Sequence, residues 1–327
     1  MNYQHIYHAG NFADVAKHAA LVFCLEALKR KQTGFFVLDT HAGRGRYDLG
    51  AGEAQRSGES ARGILRLIEA AGREPVLRDY LAAVGAPQEG AADAVDGGRA
   101  GGGPGGGDRV AGGRAGGRAG GARGDGGRGE GGGRRRLAHY PGSPALIAGA
   151  LRSQDRALLV EMQPAEARAL ERQIESTARL GVQLGDGYAA LKSQLPPRER
   201  RGLVLIDPPY EDPGEIDTVL AAFADAYRRW PTGMFLIWYP ILNAAQRAGV
   251  HARFKTLGIP KMLGADLAVH PDDAHVGLAG SGLLIVNPPY GADEHLREGY
   301  AAIHRALAAR GAGYAEVARL TPEQMAQ

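Results

Sequence analysis

Apolar residues recur along the chain in two spacings, and the alternation between them predicts the fold. Val15, Ala19, Val22, Phe23 and Ala27 fall three and four residues apart, which predicts a helix from about Ala13 to Arg30. Lys17 falls opposite that apolar stripe and His18 beside it. Phe35 to Leu38 is instead a continuous apolar run, ending in Asp39 and the turn Thr40-His41-Ala42-Gly43-Arg44-Gly45. That pattern predicts a buried parallel strand followed by a loop. Helical spacing returns over about Ser60 to Ala71 and Pro75 to Val84.

Ser143-Pro144 reads as an N-cap and first helical residue, opening a helix to about Arg152. Strands and helices then alternate. Ala157 to Met162 is a strand carrying Glu161 near its end, and Ala165 to Leu180 a helix. Gly181 to Leu184 is a strand leading into Gly185-Asp186-Gly187, and Tyr188 to Leu195 a helix. Gly202 to Ile206 is a strand running into Asp207-Pro208-Pro209-Tyr210, followed by a helix over Ile216 to Arg229. Strands over Gly233 to Tyr239, Met262 to Val269 and Ser281 to Val286 close the core. Continuous apolar strands alternating with helices predict an α/β fold built on a parallel, doubly wound sheet.

Composition changes this picture in one place. Of the 37 residues from Gly97 to Gly133, 21 are glycine, and from Gly97 to Arg136 nine arginines face three acids. That segment holds +6 of a total of +3, so the rest of the chain is at −3. The basic balance belongs to one low-complexity tract and says nothing of what the folded part binds. With almost no large apolar residue, the tract reads as a solvated linker. The single cysteine, Cys24, excludes an internal disulfide and favours a reducing, cytoplasmic setting. The start MNYQHIYHAG lacks a charged segment followed by an apolar core, so no signal peptide is expected. Ala19 to Leu25 is far short of the ~20 residues of a membrane span.

In sheets of this kind the ligand sits at the carboxyl ends of the strands. Those ends carry Asp39 with Gly43 and Gly45, then Glu161, Asp186, and Asp207-Pro208-Pro209-Tyr210. Each has a plain structural alternative. The glycines suit tight turns, Glu161 a helix cap or salt bridge, and Asp186 an Asp-Gly turn. Together they describe a site for S-adenosylmethionine beside an amino-group acceptor, with Glu161 on ribose hydroxyls and Asp186 on an adenine amine. The exocyclic amine of adenine is a poor nucleophile, its lone pair being delocalised into the ring. Hydrogen bonds to Asp207 and to the Pro208 carbonyl would free that lone pair and aim it. Tyr210 would stack on the base. Asn287-Pro288-Pro289-Tyr290 also follows a strand, but it comes last in the chain. We read Asp207 as the active copy and Asn287 as a turn at a strand end. His5, His8 and His18 lack an acid or thiol partner at metal-ligand spacing.

These blocks resemble the RlmJ-type ribosomal RNA large-subunit methyltransferases, which make N6-methyladenine in 23S rRNA. The resemblance runs through Tyr3 to His18 (YQHIYHAGNFADVAKH), Leu38 to Leu49 (LDTHAGRGRYDL), Tyr140 to Pro144 (YPGSP), Arg201 to Glu211 (RGLVLIDPPYE), Leu236 to Pro240 (LIWYP) and Gly280 to Pro289 (GSGLLIVNPP). It implies a Rossmann-like class I methyltransferase fold. It also implies that His18, His41, Ser143, Glu161, Asp186, Gly187 and Asp207 line the cofactor pocket. Asp207 would accept the amine proton, directly or through water, and Tyr3 would contact RNA. His18 could equally be a histidine on a helix flank, and Ser143 simply the N-cap. The family has a helical subdomain between its first two strands. Glu161 lies 116 residues after Gly45, far beyond the ~20 of an uninterrupted unit. One methyltransferase domain over 1–327 is therefore expected, with a helical insert over 46–139 that contains the Gly/Arg tract at about 91–136. The implied protein is a monomer acting on protein-free 23S rRNA, with neither metal nor membrane. Two alternatives stand beside it: adenine-N6 methylation of DNA, and an RNA-binding or assembly protein that uses the tract.

Overall fold

The computed structural model describes residues 5–86, 137–271 and 276–323. The Gly/Arg tract at 91–136 lies outside them. Helix α1 (Phe12–Lys29) leads into strand β1 (Phe36–Asp39), which is buried along its whole length. The chain then passes through β2 (Arg46–Asp48), α2 (Gly52–Ser57), a π-helical turn (Ala61–Leu65), α3 (Arg66–Ala71), a 3-10 turn (Pro75–Leu77) and α4 (Arg78–Ala83). It resumes at β3 (His139–Pro141) and α5 (Ser143–Ala150). β2 and β3 pair antiparallel, Arg46 opposite Pro141, so the chain leaves and re-enters this region side by side.

Strand–helix alternation follows as expected. It gives β4 (Arg156–Glu161), α6 (Pro164–Gln173), β5 (Leu180–Leu184), α7 (Gly187–Gln194), β6 (Gly202–Ile206), α8 (Glu215–Arg229) and β7 (Met234–Ile241). Beyond the elements read from sequence come α9 (Ala244–Lys255), α10 (Ala292–Leu307) and β10 (Tyr314–Arg319), which join β8 (Met262–Ala268) and β9 (Gly280–Val286). The eight-stranded sheet has the order β10-β8-β9-β7-β6-β1-β4-β5. β5, β4, β1, β6 and β7 are parallel neighbours. β9 runs antiparallel to both β7 and β8, and β10 antiparallel to β8. The sheet is thus mostly rather than wholly parallel: β9 returns between two strands that share the common direction.

Period-two alternation sends the side chains of each strand to opposite layers. Val37, Leu203 and Leu205 join a core with α1, α5, α10 and the short helices between β2 and β3, through Ile64, Leu67, Tyr80 and Leu81. Phe36, Leu38, Val204 and Ile206 join the other, beneath α7, α8 and α9. Each fully buried Val, Leu or Phe contributes about 1.5–3 kcal/mol relative to exposure, which makes this three-layer packing the main support of the fold. The structure corrects two local expectations. Gly142, not Ser143, is the N-cap of α5, held extended by its N–H bond to the Gly45 carbonyl at 2.7 Å, so Ser143 and Pro144 fill the first turn. α6 ends at Gln173, because Ile174 turns extended and the Thr177 hydroxyl takes the Arg179 and Leu180 N–H groups. Among the described residues no helix is long and apolar enough to cross a membrane.

Candidate active site at the strand carboxyl ends

A cavity of about 810 Å³ opens where β1, β4, β6 and β7 end, and α1 runs along its wall. Asn11 starts α1, its side-chain oxygen accepting the Asp14 N–H at 2.9 Å. That cap sets the register by which Asp14, Lys17 and His18 all line the cavity. Lys17 is where the helical-wheel reading fails. α1 is buried nearly all round, and Lys17 is only 5% exposed. Its ammonium bonds Asp207 Oδ2 at 2.5 Å and Asp14 Oδ1 at 3.1 Å. It also stands 5.5 Å from the centre of the Trp238 ring. Burial alone would lower the Lys17 pKa, but the Asp207 and Asp14 carboxylates outweigh it and raise the group above the ordinary lysine range. Burial likewise pushes Asp14 up, and the His5 and Lys17 charges overcome it and hold the carboxyl well below its usual range. An acid and a lysine three residues apart within an otherwise apolar helix was the legible sign of this buried pair.

Asp207 opens the turn after β6 with one oxygen on Lys17; among the described residues Oδ1 has no hydrogen-bond partner. Pro208 and Tyr210 line the same cavity. Tyr210 has φ +50°, a conformation that is strained for an aromatic residue. Its hydroxyl donates to the Trp238 carbonyl at 2.6 Å and its ring meets the Trp238 ring edge-on at 5.6 Å. The ring is therefore anchored. Trp238, in the LIWYP block, is a second wall residue that the motif reading did not single out.

Glu161, at the end of β4, accepts the Gly43 N–H at Oε2 and the Gln163 N–H at Oε1, both at 2.7 Å. Burial raises its carboxyl above the ordinary value against those bonds. Gly43 adopts φ +65°, the left-handed turn that lets its N–H reach Glu161. His41, Ser143 and His18 also line the cavity. Burial lowers His41 to about 4 and His18 to about 3, so both rings are neutral. Asp39 lies wholly buried behind them, raised by burial to about 7 against the neighbouring Ser143. Asp186 and Gly187 stand next to the cavity rather than on its wall. The Asp186 carboxylate caps α7 through the Tyr188 N–H at 2.8 Å. Gly187 lies so close to the Thr40 carbonyl that a Cβ would sit 2.1 Å from that oxygen. Tyr3 lies outside the described residues.

Asn287 ends β9, which runs against the parallel strands, so it stands at the opposite edge of the sheet from Asp207. Its amide donates to the Pro231 and Gly233 carbonyls at 2.8 and 2.7 Å. His5, His8 and His18 are paired separately with Asp14, Glu59 and Tyr140. Among the described residues no group of three or more His, Cys, Asp or Glu is arranged to hold a metal ion.

A family model described as ribosomal RNA large subunit methyltransferase D, RlmJ, matches residues 32–94 and 131–321. The chain belongs to the RlmJ family. The match breaks within the Gly/Arg tract and nowhere else between its ends. Two curated relatives, each named ribosomal RNA large subunit methyltransferase J, come from Haemophilus influenzae and Escherichia coli. They are 34% and 33% identical over 99% of this chain and 100% of each relative. The crystal structure of a Legionella pneumophila protein is 27% identical with a TM-score of 0.75, covering 95% of this chain and 98% of that one. The overall fold is thus shared with an experimental structure of nearly the same extent.

Proposed function

We propose that this RlmJ-family protein transfers a methyl group from S-adenosylmethionine to N6 of an adenine in 23S rRNA. It acts in the cytoplasm as a monomer, on rRNA free of protein. The observation that supports this reading most is the Asp207 carboxylate, with one oxygen held by Lys17 and the other open, on the wall of the cavity that also takes in Glu161. The wall suits the cofactor. Its volume lies within the ~300–1,000 Å³ of small-molecule sites. Glu161 offers acceptor lone pairs for vicinal hydroxyls, His18, His41 and Ser143 line a largely uncharged stretch, and Asp186 retains acceptor capacity for an amine beyond its cap bond. When bound, S-adenosylmethionine supplies an electrophilic methyl group.

The chain's own residues do the rest. Asp207 Oδ1 and the Pro208 carbonyl accept hydrogen bonds from the two N6–H groups, which draws the lone pair out of the ring and aims it into the cavity. Lys17 fixes the Asp207 rotamer and keeps its second oxygen occupied, so one oxygen alone faces the amine. The N6 proton then leaves to Asp207 or to water. Tyr210, anchored on Trp238, gives the adenine an aromatic wall, and Tyr3 contacts the RNA.

Purified rRNA lacking the modification should accept labelled methyl groups and duplex DNA should not, since only RNA offers the surrounding 2′-hydroxyls and loop shape. Labelling of DNA at a comparable rate would overturn the RNA assignment.

A further inference from the structure

The His18 ring does not stand alone in the wall of the cavity. Its Nδ1 lies 2.8 Å from the Tyr140 hydroxyl, and the two rings stack with centres 5.6 Å apart. The Tyr140 hydroxyl lies in turn 3.1 Å from the Tyr80 hydroxyl. All three side chains are buried, Tyr140 completely and Tyr80 and His18 to within a few per cent. Tyr80 belongs to α4, in the region between β2 and β3, Tyr140 to β3, and His18 to α1. Beyond Tyr140, the Tyr80 hydroxyl has no partner among the described residues.

Counting protons fixes the direction of this chain. If Nδ1 of His18 carried the proton and donated to Tyr140, one of the two phenolic hydrogens would be left buried with no acceptor. Only one order satisfies both phenolic donors: Tyr80 O–H to Tyr140 oxygen, Tyr140 O–H to His18 Nδ1. The remaining imidazole proton must then reside on Nε2. Burial keeps both phenols protonated and His18 uncharged, so the histidine has one proton to place.

We propose that Tyr140, whose oxygen takes the Tyr80 O–H, is the positioning residue that locks His18 in its Nε2–H tautomer, making it a neutral hydrogen-bond donor into the cavity. A neutral donor at that point selects an anionic or carbonyl oxygen of a ligand, such as the carboxylate of an amino-acid moiety, without placing a second cation beside Lys17. This ligand preference rests on the S-adenosylmethionine reading, whereas the tautomer does not. The arrangement also makes one wall of the site depend on β3, which carries Tyr140.

The test is nitrogen NMR of the full-length protein with ¹⁵N-labelled histidine and no ligand, His18 being assigned by loss of its signals in His18→Asn. A pyridine-type Nδ1 and a pyrrole-type Nε2 are expected, and the reverse pattern overturns the proposal. Tyr140→Phe should give a mixture of tautomers and weaken S-adenosylhomocysteine binding about fivefold by calorimetry, the factor of one ordinary hydrogen bond. Tyr80→Phe should keep the Nε2–H form, because Tyr140 still has to donate. An unmixed Nε2–H signal in folded Tyr140→Phe would show that Tyr140 does not set the tautomer. Where that variant fails to fold, the wild-type and Tyr80→Phe spectra still decide. If S-adenosylhomocysteine fails to bind the wild type, the cofactor reading falls and the tautomer result stands on its own spectrum.

Discussion

The molecule carries two turns of almost the same sequence, Asp207-Pro208-Pro209-Tyr210 and Asn287-Pro288-Pro289-Tyr290, and they have opposite fates. Both follow strands buried at every position. β6 runs with the parallel strands and delivers Asp207 to the cavity, beside Lys17 of α1. β9 runs against them and delivers Asn287 to the other edge, onto the Pro231 and Gly233 carbonyls. The backbone tells the same story. In the first turn the residue with positive φ is Tyr210, which resists it, and in the second it is Asn287, which tolerates it. Strain sits in the turn that lines the cavity and not where a turn merely ends a strand. A motif therefore acquires its meaning from strand direction and from what α1 brings to meet it.

The sharpest way to break this contrast is Asp207→Ala. Loss of the acceptor that aims the amine should lower methyl transfer to rRNA by a hundredfold or more, the range for a positioned acid–base group, with folding retained. If function in cells survives that change, catalysis is not the role and the RNA-binding or assembly reading takes its place. Lys17→Met comes next. It leaves Asp14, 1% exposed, and Asp207 without their shared cation. Removing one partner of a buried pair costs about 3–5 kcal/mol, so chemical denaturation should show a large loss of stability together with loss of activity. No destabilisation would mean that the pair is solvated and that α1 does not organise the site.

A smaller effect belongs to the cavity side of the comparison. His18 has a folded pKa of about 3 against an ordinary 6.5. The unfolded chain therefore binds one more proton than the folded chain between those values. His18 thus contributes stability that is complete above about pH 6.5 and is lost as the pH falls, by on the order of 1.4 kcal/mol per pH unit. In His18→Asn that slope should vanish: the variant's deficit relative to wild type should narrow steadily from pH 7 to pH 4. A constant deficit would mean that His18 is protonated in the fold.

Much of this was legible in the chain, and the rest was hidden for identifiable reasons. β6 was read to the residue because a run buried on both faces is apolar without interruption and ends abruptly in Asp207. The strand-end acids followed from it, since parallel strands deposit their carboxyl ends together. Lys17 was misread because a helical wheel assigns polar residues to solvent, whereas α1 lies between the sheet and the helices that stand between β2 and β3 and is buried nearly all round. Asp186 was read as a wall residue, while its carboxylate is partly committed to capping α7. α9 and α10 were overlooked although their signals are present: Asn243 caps the first, and Leu296, Tyr300, Ile303 and Leu307 form a stripe along the second. β10 is of another kind. Its short alternating run is fixed by pairing with β8, more than forty residues earlier, and local pattern cannot report a partner at that distance.

The least change is expected at the second turn, and it tests the contrast most directly. Asn287→Ala removes two amide bonds to the loop before β7 and a residue suited to positive φ. It should cost about 1–2 kcal/mol of stability and leave methyl transfer within about twofold of wild type. Asn287→Asp goes further, because it gives this turn the same four residues as the turn on the cavity wall. Placed in the Asp207→Ala background it should restore nothing. The new carboxylate would face two carbonyls instead of an ammonium, across the sheet from Glu161 and the cavity. Recovery of activity in that double variant would mean that four residues suffice wherever they stand. Its absence would leave the chemistry with the strand that runs the right way and the lysine that meets it.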